Sequence, residues 1–167
     1  AGDATLRFNG GTRNLNAGVE FSGTGTLLVS GGKLVLASEV ILPRLAMTGG
    51  TLGGSVTVTG EFSVTGASVR LSGSGTLRTQ GTSTLNLSEG NGSVALDAGW
   101  TWINEGTLTI GGDDRLYFGY DSGGTNTLTN AAGGVINLTT SNGNALDFYT
   151  GTAVFNNAGT VNQQATG

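Results

Sequence analysis

Gly25-Thr26-Leu27, Gly50-Thr51-Leu52, Gly75-Thr76-Leu77 and Gly106-Thr107-Leu108 are four copies of one tripeptide, and their spacing decides the fold. Degenerate copies follow at Gly133-Gly134-Val135 and Gly159-Thr160-Val161, so the landmark glycines step by 25, 25, 31, 27 and 26 along the chain. A recurring step of this size is the signature of stacked repeats. An alternating apolar pair precedes most copies: Val19/Phe21, Leu45/Met47, Val69/Leu71 and Trp100/Trp102. A small polar residue often separates that pair from the glycine, as at Ser22, Thr48, Ser72, Asn104 and Asn157.

Between these landmarks apolar residues fall at every second position, as in Leu34/Leu36, Val56/Val58, Leu85/Leu87, Val94/Leu96, Leu116/Phe118 and Leu146/Phe148. Short alternating runs rich in Val, Leu and Thr and bounded by Gly, Ser and Asn read as half-buried strands. No stretch keeps helical spacing long enough for a helix. Pro43 cannot donate to a ladder, which places it at a corner or edge. Strands of an antiparallel sandwich differ from one another and are joined by hairpins, whereas here one corner recurs at nearly constant spacing. The reading is therefore an all-β, right-handed parallel β-helix, a β-solenoid of six to seven coils of about 25 residues, forming one domain over residues 1–167. Stacked at the usual strand spacing, the coils make a rod roughly 30 Å long. The inner face is expected to carry Phe21, Leu27, Leu36, Leu52, Val58, Val64, Leu71, Leu87, Leu96, Trp102, Leu108, Phe118, Leu128, Leu146 and Val154.

Composition prunes the chemistry. The chain has 167 residues with 32 Gly, a single Pro, and neither His nor Cys. Catalytic triads that use His or Cys and zinc fingers are excluded, and disulfides contribute nothing. Seven basic residues (Arg7, Arg13, Lys33, Arg44, Arg70, Arg78, Arg115) against 11 acidic ones give a net charge of −4. Basic residues this scattered leave no footprint for nucleic acid. No apolar run approaches a membrane span, so no membrane insertion of this segment is expected. Ala1-Gly2-Asp3 runs almost directly into a strand pattern and Gln163-Gln164-Ala165-Thr166-Gly167 trails off without a cap. Solenoids need polar caps on their end strands. The expectation is a segment of a longer repeat protein, with self-association through uncapped ends as a further consequence. A cap folded from the first coil is the alternative.

Four groups of residues qualify as sites. Asp113, Asp114 and Asp121 stand in Gly-rich loops, and carboxylates with backbone carbonyls suit calcium. The run Gly111-Gly112-Asp113-Asp114-Arg115-Leu116 nevertheless breaks the calcium-binding nonapeptide frame, and a solvated turn between Ile110 and Leu116 is the favoured reading. Paired acids could cleave a glycan, with Asp97, Asp113, Asp114 and Asp121 as candidates beside Arg78 or Arg115. Their spacing brings no two together, so no catalytic residue is assigned and they read as solubility residues. Tyr117, Tyr120 and Tyr149 are the candidate ligand-binding residues. Tyr117 and Tyr149 have the opposite parity to the core pairs Leu116/Phe118 and Leu146/Phe148, whereas Trp100 and Trp102 occupy a core slot. Thr-x-Thr pairs at Thr57/Thr59, Thr82/Thr84 and Thr107/Thr109 step by 25 and partly resemble ice-binding ladders, which requires Thr57 and Thr82 to stand in register.

Trp102-Ile103-Asn104-Glu105-Gly106-Thr107-Leu108, Leu128-Thr129-Asn130-Ala131-Ala132-Gly133-Gly134-Val135 and Phe155-Asn156-Asn157-Ala158-Gly159-Thr160-Val161 form one degenerate unit, Asn-x-(x)-Gly-Thr-apolar. That unit resembles the repeats of right-handed β-helical surface proteins of Gram-negative bacteria, the autotransporter passengers and filamentous haemagglutinin-like adhesins. The resemblance implies a structural or adhesive module, extracellular or on the outer-membrane surface, exported unfolded and free of disulfides. It implies a glycan or a host or neighbouring cell surface as partner. The family shares no catalytic motif, so no site residue, enzymatic activity, cofactor or metal carries over. A carbohydrate-binding or polysaccharide-cleaving β-helix is the alternative reading.

Overall fold

Alternating Val, Leu and Thr between glycine corners produces 16 strands and no helix among the described residues, 4–164 of the computed structural model. Every strand pairing is parallel, and the pairings fall into three ladders that form three faces of a solenoid. The first face runs through residues 5–8, 26–29, 44–47, 61–64, Thr82–Leu85, Thr107–Ile110, Val135–Leu138 and Thr160–Gln163. The second runs through residues 12–15, 33–36, 50–53, Ser68–Ser72, Ser93–Asp97, Arg115–Phe118 and Leu146–Phe148. The third runs through residues 40–42, 56–58, Thr76–Thr79, Thr101–Asn104, Thr125–Asn130 and Thr152–Asn157. Eight rungs on the first face give a rod roughly 34 Å long. Ala1–Asp3 and Ala165–Gly167, on which the reading of the two ends partly rests, lie outside the described residues.

Equivalent positions of the first face are Thr5, Thr26, Arg44, Glu61, Thr82, Thr107, Val135 and Thr160. Their numbers rise by 21, 18, 17, 21, 25, 28 and 25 from rung to rung. The coil is therefore shorter than the landmark spacing implies, about 22 residues on average, and it widens along the chain. The Gly-Thr-Leu landmarks do not all stack. Thr26 lies on the first face, Thr51 on the second, Thr76 on the third and Thr107 on the first again. In the narrow coils one landmark step is a full turn plus one face. Only in the wide coils do Thr107, Val135 and Thr160 stack.

Inward side chains form columns. Leu27, Leu45, Phe62, Ser83, Leu108 and Ile136 lie one above another on the first face, all buried. Trp100 and Trp102 are fully buried, as their parity requires, and Trp102 meets Phe62 edge to face at 5.5 Å. Of the expected inner residues, Phe21 and Leu146 are half-buried at the first and last turns. Val154 is a correction: it stacks on the outward Thr127, and Phe155 takes the inward column above Leu128. At the first turn of the second face the inward column begins with Arg13, under Leu34, Leu52, Leu71, Leu96 and Phe118. A charge at such a position opposes edge-to-edge pairing. Pro43 falls at the corner between the third and first faces, where the register slips. Gly54 turns another corner with φ +89°, and a Cβ there would stand 2.2 Å from the Leu36 carbonyl oxygen.

Candidate binding site on the second face

Outward positions of the second face stack as Thr51, Arg70, Ala95, Tyr117 and Asp147. Alternation puts each of them outside because Leu71, Leu96, Leu116 and Phe118 fill the inside. Ala95 has the smallest side chain of the column, and beside it lies a shallow depression lined by Ser68, Arg70, Ser93 and Tyr120. Tyr120 and Tyr149 come from the corners that follow Phe118 and Phe148. The three tyrosines flagged by sequence meet in one cluster. Ring centroids lie 5.5 Å apart for Tyr120 and Tyr149, which stack at 22°, 6.0 Å for Tyr117 and Tyr149, and 6.4 Å for Tyr117 and Tyr120.

Two arginines complete the patch, and sequence reading missed both as partners. The Arg70 guanidinium lies 4.3 Å from the Tyr120 centroid and forms an ion pair with Asp121. Arg115 lies 5.1 Å from the Tyr117 centroid, and its Nη1 donates to Asp147 Oδ2 at 3.2 Å. Tyr120 is thus flanked by Arg70 and Tyr149, which leaves Tyr149 as the accessible platform, 63% exposed. Aromatic ring pairs contribute about 0.5–1.5 kcal/mol each, and exposed cation–ring contacts and ion pairs about 1 kcal/mol or less each.

The corner that carries Tyr120 is anchored from below by Asp97. This carboxylate is buried, and it accepts the amide N–H of Tyr120 at 3.0 Å and of Ser122 at 3.1 Å. Burial alone would raise its pKa, but amides of Tyr120, Ser122, Asp121 and Ala98 outweigh burial and hold it below the usual carboxylate value. Reading Asp97 as a solubility residue is therefore corrected. At Gly119 φ is +80°, and a Cβ would stand 1.8 Å from the Thr150 carbonyl oxygen, so the next coil seats directly on this corner.

The acidic candidates for calcium do not assemble. Asp121 is paired with Arg70 at one end of strand Arg115–Phe118, while Asp113 and Asp114 lie beyond its other end. No group of three acidic, His or Cys side chains able to hold a metal occurs among the described residues. Asp114 is fully buried rather than in a solvated turn, and its Oδ2 accepts the Leu87 amide at 2.6 Å. Burial, reinforced by the charge of Asp113, raises its pKa despite the Leu87 and Gly92 amides. The threonine ladder also breaks. Thr57 stacks on Arg78 on the third face and Thr82 on Thr107 on the first, so the two are not in register. Thr82/Thr84 and Thr107/Thr109 do stack, but Arg44 and Glu61 precede them in the outward column and Val135 follows.

Asparagines form an unforeseen ladder at the corner leaving the third face. Asn104 Nδ2 donates to Asn130 Oδ1 at 2.9 Å, and Asn130 Nδ2 to Asn157 Oδ1 at 2.8 Å. The recurring Asn of the degenerate unit was its signal in the sequence. A second depression at the first turn, lined by Leu6, Phe21, Leu27 and Leu42 together with Thr5, Ser22 and Thr26, is mostly apolar. Among the described residues no helix is long and apolar enough to cross a membrane. Comparison with protein-family models, with curated proteins and with solved structures found no match to this chain.

Proposed function

We propose that this chain is a stiff β-solenoid module of a surface or secreted protein, and that it makes adhesive contact with carbohydrate through the tyrosine patch of its second face. The observation that carries this reading is the convergence of Tyr117, Tyr120 and Tyr149 with Arg70 and Arg115 around an exposed ring. The mechanism is binding by geometry. The three ladders hold the backbone, so little ordering is needed on association. A sugar ring lays its apolar face on Tyr149, and the arginine and aspartate groups at the rim meet its hydroxyls. The same rod serves as a spacer, since each added coil extends it by one strand spacing.

A saccharide array followed by calorimetry on the strongest ligand tests the reading. Tyr149→Ala is expected to weaken binding about tenfold, the equivalent of one lost ring stack, with an unchanged circular dichroism spectrum. Ile41→Ala removes an exposed apolar side chain from the third face and is expected to bind as the parent does. Equal affinity of the Tyr149 variant, or no saccharide bound at all, overturns the reading.

A further inference from the structure

We infer that the ligand of the tyrosine patch is an uncharged oligosaccharide; this rests on the carbohydrate reading above. Each cation of the patch is already matched by an anion, Arg70 by Asp121 and Arg115 by Asp147, so the four groups sum to zero. Each guanidinium also lies over a tyrosine ring, so its hydrogen bonding is left to the in-plane N–H edge, part of which its carboxylate partner already takes. To pair with Arg70, an anionic sugar has to share the guanidinium with Asp121, which sets two negative groups side by side. Lys33 stands two rungs beyond Arg70 in the same outward column, roughly 10 Å away, and is screened at that range. The net charge of −4 adds repulsion from the rest of the chain.

Sugar hydroxyls fit this lining without such a cost. A hydroxyl both donates and accepts, and the rim alternates acceptors (Asp121, Asp147) with donors (Arg70, Arg115). Length follows from the register. Arg70, Ala95, Tyr117 and Asp147 occupy four successive rungs, roughly 14 Å along the solenoid axis, which is longer than one sugar ring. The chain of sugars therefore lies along the axis with one ring on Tyr149.

Calorimetric titration of the intact protein at about 0.15 M salt with hexasaccharides separates the possibilities. The neutral probes are cellohexaose, xylohexaose and mannohexaose, and the acidic ones are hexagalacturonate and a heparin hexasaccharide. At least one neutral hexasaccharide is expected to bind, its monosaccharide and both acidic probes being about tenfold weaker or more. In the Asp121→Asn/Asp147→Asn double variant the two guanidiniums are released, and hexagalacturonate is expected to gain about tenfold. If an acidic probe binds the parent protein as tightly as any neutral one, the inference falls while the carbohydrate reading stands. If neither kind binds here or on the array, the carbohydrate reading falls and takes the inference with it.

Discussion

Replacing Asp97 with Ala is expected to loosen the corner that carries Tyr120 while leaving the three ladders paired. Asp97 ends strand Ser93–Asp97, is 2% exposed, and accepts from the Tyr120 amide at 3.0 Å and the Ser122 amide at 3.1 Å. Its depressed pKa keeps it ionised in the fold, so both bonds are charge-assisted, each contributing about 1.5–3 kcal/mol. Ser122 is exposed and its amide can rehydrate, which brings the expected loss to about 3 kcal/mol. For a chain of this length that lowers Tm by about 9 °C in a thermal melt followed by circular dichroism at neutral pH. The acid limb gives a second signature. A depressed folded pKa contributes stability that is complete above the unfolded carboxylate value of about 3.9 and lost as pH falls through the lower folded value. The gap between parent and variant should therefore narrow below about pH 4. A gap under about 2 °C at neutral pH, or one unchanged near pH 2, refutes the clamp.

Asp114→Asn tests the opposite sign. Its folded pKa is raised, so the parent loses stability as pH climbs from the unfolded value through the folded one, and the variant should be the more stable of the two at pH 7 in urea titrations. Equal or lower stability of the variant at neutral pH contradicts that. Ser83 places an unpartnered hydroxyl in the column between Phe62 and Leu108, so Ser83→Ala is expected to stabilise by about 1 kcal/mol. Gly119→Ala forces a Cβ against the Thr150 carbonyl at positive φ and should cost about 3 kcal/mol, read as a lower urea midpoint at unchanged slope.

Alternation made the strands and most inward residues legible, because burial follows parity in strands such as Thr76–Thr79, Thr101–Asn104, Thr107–Ile110 and Arg115–Phe118. The coil length was not legible, for the same reason. All three faces repeat one buried/half-buried pattern, so a motif that opens a face looks like a motif that opens a coil. Thr26, Thr51 and Thr76 share a tripeptide and lie on three different faces. Parity placed Tyr117 and Tyr149 outside, and the structure brings the two together with Tyr120 beside them. Arg70 could not be placed with them, since its contact with Tyr120 depends on two coils of unequal length, one from Arg70 to Ala95 and the next from Ala95 to Tyr117. Asp97 and Asp114 were hidden because carboxylates are rarely buried, and what holds them is backbone amide from a neighbouring coil or corner, which side-chain identity does not encode.

The most direct measurement is a map of backbone amide chemical-shift changes on the isotopically labelled protein as the best-binding neutral hexasaccharide is added. Perturbations are expected at Arg70, Ala95, Tyr117, Tyr120, Asp147 and Tyr149, which are distant in sequence and sit on neighbouring rungs of one face. Saturable changes confined instead to the first or third face, or none at a ligand concentration that saturates binding in calorimetry, would contradict the account.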